Sequence, residues 1–137
     1  MRKINSVLLI DDDEPTNFIN KKILQSSGRV EVIHVANGGT EALRILSNNK
    51  NNLNNSFIPD VIFLDINMPA MDGWEFLIEF KKLENLKAER IIIVMLTTSL
   101  NPDDELKAKG IKEVYMYKNK PLTKDMIEEI INNNFSF

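Results

Sequence analysis

Three apolar runs of this chain end in residues able to handle a charged phosphoryl group, and a fourth ends in acids alone. Leu8-Leu9-Ile10 is followed by Asp11-Asp12-Asp13-Glu14, and Val61-Ile62-Phe63-Leu64 by the single carboxylate Asp65. Val94-Met95-Leu96 runs into Thr97-Thr98-Ser99, and Val114–Tyr117 into Lys118-Asn119-Lys120-Pro121. One acid after a strand is ordinarily a helix cap, a role that suits Asp13 or Glu14. Capping needs one acid, not four in succession. If Asp11, Asp12 and Asp65 meet at about 5–6 Å, each pair repels by about 3 kcal/mol at an effective dielectric near 20, so positive charge has to fill the cluster. Oxygen donors in this number, without His or Cys, suit Mg²⁺ retaining several waters. Pro121 stiffens the turn that lets Lys120 bring a second positive charge, and Thr97 and Thr98 add hydroxyls. A carboxylate, a divalent cation, an ammonium and a hydroxyl together can host a phosphoryl group. The carboxylate attacks phosphorus while the others neutralise the equatorial oxygens.

The elements that must position these groups alternate with little sequence between them. The patterns predict strands over Ser6–Ile10, Val30–Val35, Val61–Leu64, Ile91–Leu96 and Val114–Tyr117. They predict helices over Pro15–Gln25, Thr40–Leu46, Trp74–Leu83 and Pro102–Lys109, and a last helix from near Thr123. Pro15 suits a first helical turn, where its missing N–H costs nothing, and Gly28 closes that helix. Ser99 or Asn101 is placed to cap the fourth helix. Phe76, Leu77 and Phe80 form the inner stripe of the third, and Met126, Ile127, Ile130 and Ile131 that of the last. Five strand–helix units imply an α/β fold, a doubly wound five-stranded parallel sheet with right-handed crossovers. Its first and third strands are neighbours, which brings Asp11, Asp12 and Asp65 to one carboxyl edge, where such folds place their chemistry.

The chain has 137 residues, enough for one domain, with 43% hydrophobic and 27% charged residues. A net charge of −3 without a Lys/Arg block argues against direct binding of nucleic acid. Zero cysteines exclude disulfides, thiolate catalysis and Cys-ligated metal. The longest apolar run, Ile91–Leu96, is too short to cross a bilayer, and Met1-Arg2-Lys3 does not open a signal peptide, so a cytoplasmic location without membrane attachment is expected.

The ordered set Asp11-Asp12, Asp65, Thr97 and Lys120-Pro121 resembles the receiver domain of two-component response regulators. The resemblance spans about residues 4–131 of a single domain 1–137, with 132–137 a tail expected to fray. It implies a flavodoxin-like fold with strand order 2-1-3-4-5. It further implies that Asp65 accepts a phosphoryl group from a histidine kinase or histidine phosphotransfer protein. Asp11, Asp12, Asp65 and the Asn67 backbone carbonyl would hold Mg²⁺, and Lys120 would pair with Asp65 or its phosphate. Thr97 would turn to the phosphoryl oxygen and Tyr117 would follow inward, changing the surface of helix 4, strand 5 and helix 5. Thr98 stands where the family usually has alanine or another small residue, and its bulk would narrow access to Asp65. The expected unit is a stand-alone receiver, not an enzyme beyond its own phosphorylation and dephosphorylation. It would signal to a separate downstream protein, and the resemblance allows a phosphorylation-dependent dimer.

Two other classes compete. A Mg²⁺-dependent phosphohydrolase with an aspartyl-phosphate intermediate would need a substrate pocket and a second aspartate two residues after Asp65, where Asn67 stands. A pseudo-receiver that binds partners without phosphate is argued against by the intact acid, Thr and Lys set. His34, in a strand, is a surface or structural residue. Asn37-Gly38-Gly39-Thr40 reads as a turn, because it lacks the spacing of a nucleotide-binding loop. Asp72-Gly73 is a turn signal, Trp74 begins a helix without a catalytic task, and Ser47–Ser56, with six Asn in ten residues, reads as a solvated loop.

Overall fold

A computed structural model describes residues 3–47, 58–83 and 90–134. Nearly all of the Asn-rich stretch, together with Phe135 and Phe137, lies outside the described residues. The elements are β1 (Ile4–Ile10), α1 (Glu14–Ser27), β2 (Val30–Ala36), α2 (Gly39–Ser47), β3 (Val61–Leu64), α3 (Gly73–Lys81), β4 (Ile92–Thr97), α4 (Pro102–Lys109), β5 (Val114–Asn119) and α5 (Lys124–Asn134). All strand pairs are parallel, in the order β2-β1-β3-β4-β5.

The expected elements all form, with boundaries that differ at their ends. β1 begins two residues earlier than its apolar run and β5 ends two residues later, because ladder pairing to a neighbour holds polar residues in extended form. α3 stops at Lys81, not Leu83, where the Lys82 N–H turns back to the Glu79 and Phe80 carbonyls. The tail expected from Asn132 begins inside α5, and residues 135–137 lie outside the described residues. α5 continues to Asn134, whose side-chain amide donates to the Ile130 carbonyl at 3.0 Å.

Burial follows position in the sheet. β3, flanked by β1 and β4, is buried at all four residues, whereas edge strands β2 and β5 are half-buried or exposed except at Ala36. Successive side chains of each strand point to opposite faces, so the sheet feeds two cores. Leu8, Ile10, Ile62, Leu64, Ile93 and Met95 pack on one face with Leu46 of α2, Phe76 and Phe80 of α3 and Ala108 of α4. Val7, Leu9, Val61, Phe63, Val94 and Leu96 pack on the other with Leu24 of α1 and Ile127, Ile130 and Ile131 of α5. The Phe76 and Phe80 rings stack with centroids 5.7 Å apart, and burying rings of this size stabilises the layer by several kcal/mol each.

Local chemistry sets where each helix starts. Asp13 caps α1 by accepting from the Thr16 N–H at 3.1 Å, with Pro15 inside the first turn. Asn101 rather than Ser99 caps α4, accepting from the Asp103 N–H at 3.0 Å. Asp72 does more than form a turn. Its carboxylate accepts from the Glu75 N–H at 2.8 Å while Glu75 accepts from the Asp72 N–H at 3.1 Å, a reciprocal capping box.

The N-terminus of α3 lies directly against the chain that follows β3. The Gly73 N–H donates to the Ile66 carbonyl at 2.8 Å, and a Cβ built on Gly73 would stand 2.5 Å from the Asp65 carbonyl oxygen. Glycine at this position is therefore a requirement of close approach, independent of its backbone freedom. On an exposed helix, Gly→Ala stabilises by about 1 kcal/mol. Here Gly73→Ala should reverse that sign, destabilising by roughly 1–3 kcal/mol through overpacking. Urea unfolding measures the change, and NMR shifts concentrated at Asp65 and Ile66 would report the displaced segment.

Candidate functional site

Asp11 and Asp65 are each the first residue beyond a central strand, and the ladder continues through their amides. Asp11 N–H donates to the Ala36 carbonyl at 3.2 Å, and Asp65 N–H to the Ile10 carbonyl at 3.1 Å. Both side chains are buried while that of Asp12 is exposed. One carboxylate oxygen from each of Asp11, Asp12 and Asp65 lies within 4.8 Å of the others. Two adjacent acids and one far along the sequence thus meet as expected, slightly closer than 5–6 Å.

Lys120 is placed from the other side of the sheet. Its backbone N–H donates to the Thr97 carbonyl at 2.8 Å, which extends the β4–β5 pairing, and the Lys120–Pro121 peptide is cis. Its ammonium reaches Asp11 Oδ2 at 2.5 Å and Asp65 Oδ2 at 3.5 Å. Lysine was expected on Asp65, yet its shorter contact is with Asp11. Asp11 is the more heavily tied acid, since its Oδ1 also accepts from the Asp13 N–H at 3.0 Å. Asp65 keeps the looser contact and the less compensated charge.

That imbalance is visible in the proton affinity of Asp65, which is raised to about 6. Burial is the main cause, and the Asp11 charge adds to it. Lys120 and the Ile66 N–H oppose it without cancelling it. Asp13, exposed and accepting from both the Thr16 hydroxyl and N–H, is shifted below the usual carboxylate range.

Thr97 is fully buried at the end of β4, and its hydroxyl oxygen accepts from the Ser99 N–H at 3.1 Å. Thr98, next in sequence, is exposed and lines a cleft of about 260 Å³ with Thr16, Ile19, Asn20, Lys120 and Pro121. Asn67 lies at the surface two residues after Asp65. Ala70, in the same loop, adopts a left-handed φ of 66°. Tyr117 sits in β5 opposite Met95, with its ring packed on the core and its hydroxyl enclosed near Ser99 without a well-aligned hydrogen bond among the described residues. Burial pushes the Tyr117 phenol above its usual range, the Ser99 contact pulls it back, and Asp104 and Glu105 reinforce the rise.

Sequence reasoning missed three connections. Ser99 is a link rather than a cap, because its hydroxyl donates to Asp104 Oδ2 on α4 at 2.6 Å and its carbonyl accepts from the Asn119 amide at 2.9 Å. Trp74 carries the Lys107 ammonium over its ring at 4.6 Å, which joins α3 to α4. Asn17 donates to the Asp11 carbonyl at 2.8 Å from a buried position on α1. Its signal in the sequence is a polar residue on the inner stripe Asn17, Asn20, Leu24, where an amphipathic helix places apolar ones. His34 stands exposed on edge strand β2, away from the acids, in agreement with its structural reading.

The donor set fits a hard divalent cation: three carboxylates converge, with no His or Cys in the cluster. Without a cation the acids should oppose folding in a pH-dependent way. The folded pKa of Asp65 exceeds its unfolded value of 3.8, so folding favours the protonated form. Its contribution is fully present below pH 3.8 and is lost as pH rises through about 6. In EDTA, melts of the native chain and Asp65→Asn should therefore diverge across this window. The variant gains relative Tm as pH rises from about 4 to about 7, and a constant difference would contradict the burial argument.

Comparison with known proteins agrees with this geometry. The family model for the response regulator receiver domain matches residues 7–132. Response regulator Rcp1 of Synechocystis is 31% identical over 125 residues, covering 90% of this chain and 82% of that protein. A two-component response regulator from Cytophaga hutchinsonii superposes with a TM-score of 0.88 at 36% identity, covering 98% of each chain. The phosphorylated cyanobacterial phytochrome response regulator RcpA superposes at 0.71 with 28% identity, covering 95% of this chain and 90% of that one. A five-stranded parallel sheet that carries its acids, threonine and lysine on one carboxyl edge, matched over nearly its whole length by the family model, places this chain in the response regulator receiver family of two-component signalling.

Proposed function

We propose that Asp65 accepts a phosphoryl group from a phosphohistidine donor, and that Thr97 and Tyr117 carry its presence to α4. The observation that supports this reading is the pairing of a buried, poorly compensated carboxylate with two further acids within 4.8 Å and an ammonium 3.5 Å away. A carboxylate oxygen of Asp65 forms the new O–P bond as the donor N–P bond breaks. The electron pair leaves on the donor imidazole nitrogen, which takes a proton from solvent. Asp11 and Asp12, with Asp65 and the Asn67 carbonyl, would hold Mg²⁺, which when bound neutralises charge on the phosphoryl oxygens. Lys120 supplies the second positive charge and is already oriented by its backbone bond to Thr97.

The route outward starts from the bond that Thr97 now accepts from the Ser99 N–H. Turning its hydroxyl to donate to a phosphoryl oxygen gives up that bond and frees the loop that Ser99 ties to Asp104 on α4. Tyr117, whose enclosed hydroxyl lies beside Ser99, then closes toward the vacated space. Phosphate thus acts as a local hydrogen-bonding event on an element with two arrangements. RcpA, solved in a phosphorylated state, is a relative in which such a modification is captured. Receivers of this family work with histidine kinases or phosphotransfer proteins, so the donor proposed here is one of these. The surface that changes is that of α4, β5 and α5, and a second copy can serve as a partner that senses it.

Incubation with Mg²⁺ and acetyl phosphate should add one phosphate by intact mass, and Asp65→Asn or EDTA should abolish the addition. Unchanged labelling of Asp65→Asn would defeat the assignment, whereas a native chain that takes no phosphate would favour a pseudo-receiver. Thr97→Val should still be labelled but lose the phosphate-dependent change in Trp74 fluorescence, because Trp74 contacts α4 through Lys107.

A further inference from the structure

The inner face of α1 is built against the usual rule. Its buried residues are Asn17, Asn20 and Leu24, so two carboxamides occupy places that hydrocarbon would normally fill. Asn17 is 4% exposed and Asn20 3%. The Asn17 amide nitrogen is used, donating to the Asp11 carbonyl at 2.8 Å, but its Oδ1 is buried and has no partner among the described residues. A buried acceptor left unpaired is costly, and so calls for a partner. Beside it lies a cavity of about 10 Å³ whose wall includes Asn17, Asn20, Asp11 and Asp65. That is about the space one water needs, too little for any larger ligand, and the wall offers the two to four polar groups a buried water requires.

We infer that Asn17 is a positioning residue for Asp11, completed by one water bound between its Oδ1 and the polar wall of this cavity. Asp11 is then held at three points: its carbonyl by Asn17, Oδ1 by the Asp13 N–H and Oδ2 by Lys120. The water satisfies the amide that would otherwise be free to rotate away from the Asp11 main chain. The consequence for function rests on the proposed reading of Asp11, Asp12 and Asp65 as a Mg²⁺ site. Groups that orient a metal ligand from behind typically change affinity about 10–100-fold when removed.

Asn17→Leu removes both polar ends at similar volume. Calorimetric titration with Mg²⁺ should show Kd raised roughly tenfold or more, together with a lower Tm in EDTA because the Asp11 carbonyl loses its buried donor. A lowered Tm with unchanged Mg²⁺ affinity would make Asn17 a fold-supporting residue only and overturn the proposal. If Asn17→Leu gives no cooperative melt, Asn17→Ala, which cannot overfill the site, carries the same comparison. A high-resolution crystal structure of the native chain should show one ordered water within hydrogen-bonding distance of Asn17 Oδ1, and a dry cavity there overturns the water. A native chain that binds no Mg²⁺ by calorimetry sinks the metal-site reading beneath it, an outcome distinct from either result with the variants.

Discussion

Two carboxylates lie almost dry, side by side, at the carboxyl edge of the sheet, and a single ammonium serves both. Lys120 contacts Asp11 at 2.5 Å and Asp65 at 3.5 Å, so the attraction is shared unequally between acids that repel each other. The rest of the structure can be understood as what is needed to sustain that arrangement. β1 and β3 must be adjacent and in register for Asp11 and Asp65 to emerge together, and β4 and β5 must pair to their ends for Thr97 to anchor Lys120. The two apolar layers stabilise a sheet whose edge carries an electrostatic cost.

The uneven sharing also separates the roles of the two acids. Asp11 is held by Lys120, by the Asp13 N–H and through its carbonyl by Asn17. It is a fixture. Asp65 is equally buried but less well compensated, and its raised proton affinity records charge in want of a partner. A cation or a phosphoryl group brought to this edge meets a group already poised to receive it, and that difference supports placing the chemistry on Asp65 in the proposed function.

Much of this was legible in the sequence, for identifiable reasons. Val61–Leu64 had to be a central strand because four consecutive apolar residues are stable only where both faces are covered. A cap at Asp13 or Glu14 could be recognised as acids just before a helix, though only the structure chose Asp13, and Phe76, Leu77 and Phe80 could be recognised as an inner stripe from their spacing. Chain ends were harder. β5 continues through Lys118 and Asn119 because β4 pairs with it, and α5 reaches Asn134 partly through a side-chain bond to Ile130, neither of which hydrophobic pattern records. Gly73 looked like an ordinary turn residue, since the Asp65 carbonyl that excludes a side chain there comes from another loop arm.

The sequence by itself determined the inventory: which residues are apolar with which period, and therefore five strands, five helices and a set of acids, a threonine and a lysine placed after particular strands. Periodicity and capping are local, so one chain suffices to read them. Only the tertiary structure decided who touches whom. It gave the shorter contact of Lys120 to Asp11, set Ser99 between Thr97 and Asp104, and turned Asn17 inward beneath the Asp11 carbonyl. These outcomes depend on distances of a few tenths of an ångström between segments far apart in sequence. Electrostatic and hydrogen-bond energies change steeply over such distances, and no pattern along a single chain encodes them.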